Sequence, residues 1–129
     1  LIAIHQEYDL SSAVIADSIQ TNPAFVRQIM MKLKKAGLMS SVNGHAKPSL
    51  AKPAEEITLL DIYKAVEGNK PLLHLDTHTN PECGVGINIQ LALQEYYNEI
   101  QRGTETHMSG ISLQDIIGLY RKKAGQTDC

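Results

Sequence analysis

Asn22-Pro23, Gly37 and Asn43-Gly44 punctuate one stretch of this chain into a helix start, a helix stop and a chain reversal. An asparagine side chain accepts from the free amides of a first helical turn, and proline is pre-set for the first helical position. Between these marks Val26, Ile29, Met30 and Leu33 recur at helical spacing. The pattern predicts a helix from Pro23 to Ala36 closed by Gly37, with those four residues inward and Ala24, Arg27, Gln28, Met31 and Lys35 on the opposite face. Leu38 to Val42 then reads as a short strand, Asn43-Gly44 as a hairpin turn and Ser49 to Ala51 as the return strand, shortened by Pro48. Upstream, Ser11 or Ser12 caps a helix to about Ile19, with Val14, Ile15, Ala16 and Ile19 inward, and Thr21 and Asn22 break it. Helix, turn, helix and hairpin form the winged helix-turn-helix order, in which the second helix suits a major groove. The small Ala16 lets the two helices approach, and Ile15, Ile19, Val26 and Ile29 are expected to form their shared core. The turn lacks the glycine often found there.

The charge pattern falls on the same stretch. Between Asp17 and Glu55 no acidic residue occurs, while Arg27, Lys32, Lys34, Lys35, Lys47 and Lys52 do. In a chain of formal net charge -2 this is a local positive field, so any nucleic-acid contact is confined to one region. Taken alone, such a run is equally well an ordinary solvated helix face.

The 129 residues suffice for one domain with a core and a helical appendage, and 43% apolar against 20% charged suits a folded, mostly helical protein. No apolar run approaches the ~20 residues of a membrane span and no secretory signal is visible, which points to the cytoplasm. Two cysteines, Cys83 in a mid-chain loop and Cys129 at the last position, make neither a disulfide scaffold nor a paired zinc motif.

Further along, Leu1 to His5 read as the last turn of a helix and Tyr8 to Leu10 as a connection. Thr58-x-x-Asp61 is a capping box opening a helix from Leu59 to Glu67, closed by Gly68. Pro71 and Pro81 make Asn69 to Gly86 a loop. A long helix begins at Val85 or Ile87, with Ile89, Leu93, Tyr96 and Ile100 in one apolar stripe; Gly103 loosens its end and Gly110 closes the region. The stripe is either a dimer seam or an intrachain core. Ser112-x-x-Asp115 caps a last short helix that ends in Arg121, Lys122 and Lys123.

The run NPAFVRQIMMKLKKAGLM, the turn-bearing wing, EEITLLDIYKAVEG, the NPECGVG loop and the SLQDI segment together resemble the Rrf2 family of bacterial winged-helix transcription regulators, over nearly the whole chain. The resemblance implies a mainly α fold with a small β-hairpin wing and a long dimerisation helix. It divides the chain into a winged helix-turn-helix domain over 1–68, an effector or sensor loop over 69–86, dimerisation and C-terminal helices over 87–124, and a tail over 125–129. It also implies a homodimer that sets two recognition helices on a palindromic operator of double-stranded DNA, in the manner of a repressor, with Ile89, Leu93, Tyr96 and Ile100 at the seam.

Carried onto these residues, Arg27 and Gln28 occupy the reading face beside Ala24, where Arg can bond a guanine and Gln an adenine bidentately. Ser12, Asn22, Lys34 and Lys35 are placed for phosphates, which set register rather than sequence. The wing residues Asn43, His45 and Lys47 depart from the family's arginine-glycine wing, leaving Lys47 and His45 as weaker contacts. Cluster-binding members carry three cysteines ahead of the long helix. Here that loop holds only Cys83, so no iron-sulfur cluster and no other cofactor is expected. Cys83 is either a small residue packed at a helix start or a single redox-sensing thiol. His74-x-x-x-His78 with Cys83 has a metal-like look but lacks a fourth ligand unless His107 folds back, so no metal is expected.

Two other classes of protein compete with this reading. A winged helix that binds a protein instead of DNA would suit the overall acidity and the atypical wing. An enzyme would need a nucleophile-base order, a phosphate-cradling glycine loop or paired carboxylates in a cleft, none of which the chain offers.

Overall fold

The computed structural model describes residues 2–4, 10–40, 48–73 and 82–125. In chain order these hold α1 (Ser12–Ile19), α2 (Pro23–Lys35), β1 (Met39–Ser40), β2 (Ser49–Leu50), a 3-10 turn (Ala54–Glu56), α3 (Leu59–Glu67), α4 (Gly84–Ser109) and α5 (Leu113–Ala124).

Local chemistry sets the helix ends. Ser11 is the N-cap of α1, its Oγ accepting from the Val14 amide at 3.2 Å. Leu10, one position earlier, is buried in the same cluster as Ile15, which makes a hydrophobic staple across the start of the helix. Asn22 caps α2 through a 2.8 Å bond from the Ala24 amide to its Oδ1, with Pro23 in the first helical position. At the other end of α2 the cap is Ala36, and Gly37 follows at φ +77°. The Gly37 amide donates to Lys34 O and the Leu38 amide to Leu33 O, both at 3.0 Å, which is the Schellman arrangement. The cap is thus Ala36, one position before the expected Gly37, and Gly37 follows it where the left-handed backbone favours a residue without Cβ.

The turn between α1 and α2 finds another solution to its missing glycine. Gln20 takes the left-handed conformation itself, at φ 55°. Its Nε2 donates to Asp17 O at 2.8 Å, and the Thr21 amide donates to Ala16 O at 2.9 Å. These bonds offset a backbone state that costs a non-glycine residue about 1 kcal/mol.

The α1–α2 core consists of Leu10, Ile15, Ala16 and Val26, with Ile2 and Met30 packed against it. Ala16 is 1% exposed, so the two helices cross at its methyl group. Two residues of the expected inward stripe lie outside this core: Val14 is 50% and Ile19 55% exposed. Val14 sits ~100° around the helix from Ile15, and Ile19 is the last residue of α1, where the chain turns away. Leu10, expected only as part of a connection, takes the inward place instead.

β1 and β2 pair antiparallel in the register Met39↔Leu50 and Ser40↔Ser49, extended by a 3.1 Å bond from the Ala51 amide to Leu38 O. The expected hairpin turn at Asn43-Gly44 lies outside the described residues. Capping boxes open both α3 (Thr58 with Asp61) and α5 (Ser112 with Asp115). These two starts pair with each other: the Leu59 amide donates to Ile111 O and the Leu113 amide to Ile57 O, both at 2.7 Å, across a Thr58↔Ser112 bridge. Ile57 and Ile117 are buried beside this junction.

α4 begins at Gly84, inside the stretch expected as loop, and runs unbroken through Gly103 to Ser109. A single interior glycine costs a helix only about 1 kcal/mol, which the other residues of this long element absorb. α4 is tied to α3 in its C-terminal half. Gln101 Oε1 accepts from the Leu72 amide at 2.9 Å, Gln101 Nε2 donates to Tyr63 Oη at 3.3 Å, and Lys64 pairs with Glu105 at 3.5 Å. No residue of α4 is buried.

Candidate nucleic-acid interface

One side of α2 builds the core and the other faces out. Val26 is buried and Ile29, Met30 and Leu33 are half-buried, whereas Ala24, Arg27, Gln28, Met31, Lys34 and Lys35 are exposed. At ~100° per residue these six fall within an outward arc of about 120°, with Arg27 and Gln28 toward its two sides. Ala24 lies between them one turn earlier, and its single methyl lets the start of the helix approach a surface closely.

Arg27 is oriented by the helix beneath it. Its Nη1 donates to Ser12 Oγ at 3.4 Å, so the first residue of α1 touches the outward face of α2. Ser12 therefore supports Arg27 in the free protein. Asn22 spends its Oδ1 on the cap, which leaves the amide nitrogen, a donor, to meet a phosphate. Lys34 and Lys35 stand in the last turn of α2, where positive charge also complements the helix dipole. Lys32 belongs elsewhere: its Nζ donates to Val66 O at 3.1 Å and clasps α2 to the end of α3. Sequence spacing gave no sign of that clasp, because it depends on how two helices cross. The wing residues Asn43, His45 and Lys47 lie outside the described residues.

The second expected surface lies on α4. Ile89, Leu93, Tyr96 and Ile100 are all exposed, as are Val85 and Leu91. Among the described residues nothing buries this stripe, so the alternative, an intrachain core, does not form there. On α5, Leu119 and Tyr120 are exposed as well.

Cys83 is the N-cap of α4 and is exposed, so it is not the packed small residue that one reading expected. His74 and His78 lie outside the described residues. His107 sits in the last turn of the helix that Cys83 begins. The step of 24 positions from Cys83 to His107 spans ~36 Å of helix, so the two cannot share an ion. Among the described residues no three His, Cys, Asp or Glu side chains converge as metal ligands.

An exposed, cationic arc on the second helix, a short antiparallel wing after it and a long helix with an exposed apolar stripe are the parts of a winged-helix transcription regulator. A sequence profile described as Rrf2, iron-dependent transcriptional regulator, matches residues 1–118, and the chain belongs to this family. It is 38% identical over 117 residues to YwnA of Bacillus subtilis strain 168, assigned as an HTH-type transcriptional regulator, covering 91% of this chain and 88% of that protein. A crystal structure assigned as a DNA-binding protein superposes with a TM-score of 0.72 at 37% identity, over 90% of this chain and 89% of the other. The T. potens IscR structure shares the fold, with a TM-score of 0.66 at 23% identity over 99% of this chain and 82% of that one. The protein is thus a transcriptional regulator of the DNA-binding, winged-helix kind and not an enzyme. No described helix is long and apolar enough to cross a membrane.

The family's description names iron dependence, and the residues present bear on it. Thiolates hold iron-sulfur clusters, and the segment ahead of α4 supplies one, Cys83; the sequence's other cysteine, Cys129, lies outside the described residues. This donor set does not fit a cluster held by cysteines at that position.

Proposed function

We propose that the protein is a cytoplasmic homodimeric repressor that sets two copies of α2 into successive major grooves of a palindromic operator. The observation that carries this reading is the outward arc of α2, where Arg27 and Gln28 stand between a capped, close-approaching start at Ala24 and a cationic end at Lys34 and Lys35. Arg27 reads a guanine and Gln28 an adenine, the bidentate pairings their geometry favours. Ser12, Asn22, Lys34 and Lys35 contact phosphates and fix the register. The apolar stripe of α4 is the seam that joins the two protomers, which explains why so long a helix leaves Ile89 and Tyr96 exposed in one chain.

Regulation in this reading proceeds without an iron-sulfur centre or bound metal. Cys83, exposed at the start of the seam helix, is the residue through which thiol oxidation would alter dimer geometry.

Selection of bound sequences from a random duplex pool, repeated with and without a peroxide oxidant, tests the proposal. The expected outcome is a palindromic consensus whose half-sites lie about 34 Å or one helical turn apart, with enrichment that changes on oxidation and ceases to change in Cys83→Ser. Failure to enrich any sequence at low salt would instead favour a protein-binding winged helix.

A further inference from the structure

We propose that Met31 is a third base-reading residue of α2, one that packs against the 5-methyl group of a thymine in the major groove. This rests on the DNA-reading assignment of α2 made above. Met31 is 68% exposed, and Val26, Ile29, Met30 and Leu33 already occupy the inward side of the helix. Among the described residues Met31 thus stands outside the packed core. On a helix, Met31 falls ~40° from Arg27 and ~60° from Gln28, which puts it near the middle of the outward arc, one turn beyond both.

Its surroundings shape an apolar spot in a cationic face. Gln28, Met31, Lys32, Lys34 and Lys35 line a surface depression of about 500 Å³. Lys32 contributes its hydrocarbon stem, because its ammonium is held by Val66 O on the other side. Lys34 and Lys35, both exposed, add similar stems to the lining around Met31.

The floor of a major groove presents hydrogen-bonding edges at every base pair and a single apolar feature, the thymine methyl. An unbranched, polarizable side chain at the centre of a reading face matches that feature and adapts to its position. The four-residue step from Arg27 to Met31 advances ~6 Å along the helix axis, so the thymine lies within about two base pairs of the guanine that Arg27 reads.

The test replaces thymine by uracil, which removes only the methyl, one position at a time in a half-site obtained by selection, and measures binding of the full-length protein. The wild-type protein is expected to lose affinity about fourfold at one thymine, the factor expected from burying one methyl group, and about 15-fold when both half-sites carry the change. Met31→Ala should bind thymine and uracil operators equally, while Met31→Leu should keep the discrimination. If the protein selects an operator yet no thymine-to-uracil change matters, or if Met31→Ala still discriminates, this inference fails and the DNA-reading assignment stands. If no duplex is selected, both fall.

Discussion

Replacing Ile89 by aspartate should separate the protomers without unfolding them. Ile89 is 55% exposed in one chain, so a partner removes about half of its surface from water. Fully burying an isoleucine side chain stabilises by about 1.5–3 kcal/mol, which makes the remaining half worth about 1 kcal/mol per copy and about 2 kcal/mol per symmetric dimer. The aspartate also sets one carboxylate from each protomer into an apolar seam, at an effective cost of several kcal/mol per charge if both stay ionised. A combined loss of at least about 4 kcal/mol corresponds to a 10³-fold weaker dimer. Sedimentation equilibrium across a concentration series reads the change directly, and far-UV circular dichroism should show wild-type helicity, because no residue of α4 is buried within its own chain. A variant that stayed dimeric with the wild-type dissociation constant would refute the assignment of this stripe to the seam.

Other substitutions probe the remaining supports. Thr58→Ala removes the side-chain acceptor from the Asp61 amide and should cost about 1 kcal/mol, seen as a fall of about 4 °C in thermal midpoint. Ala16→Leu forces an isobutyl group into the 1%-exposed crossing of α1 and α2, and should cost about 1–3 kcal/mol in denaturant unfolding. Lys35→Ala should weaken binding to all duplexes alike and reduce the salt slope by about one, as expected for a phosphate contact.

The elements legible in the sequence are those with local causes. Asn22-Pro23, Thr58-x-x-Asp61 and Ser112-x-x-Asp115 each satisfy free amides within one turn, and each opens a helix at the expected residue. The outward arc of α2 was legible too, because its inward residues repeat at helical spacing. Features set by tertiary packing were not. Leu10 enters the core from outside any helix, Val14 and Ile19 leave it, and Lys32 turns from the basic face to cap the end of α3. The junction of α3 with α5 does have a counterpart in the sequence. Ile57-Thr58-Leu59-Leu60-Asp61-Ile62 and Ile111-Ser112-Leu113-Gln114-Asp115-Ile116 are near-copies of one motif, and they pair through reciprocal backbone bonds. Pro81 and the glycines at 84 and 86 have the composition of a loop and place the expected start of α4 too late, whereas the chain is helical from Gly84.

The most direct test of the central claim, that α2 reads DNA through Arg27, is a salt titration of binding to a selected operator and to a scrambled duplex, for the wild-type protein and Arg27→Ala. The wild-type protein should prefer the operator by at least about 10³-fold, with affinity falling steeply as salt rises. Arg27→Ala should lose about 1–3 kcal/mol on the operator and much less on the scrambled duplex, so that discrimination shrinks along with affinity. An Arg27→Ala protein that keeps the full wild-type preference would contradict the account.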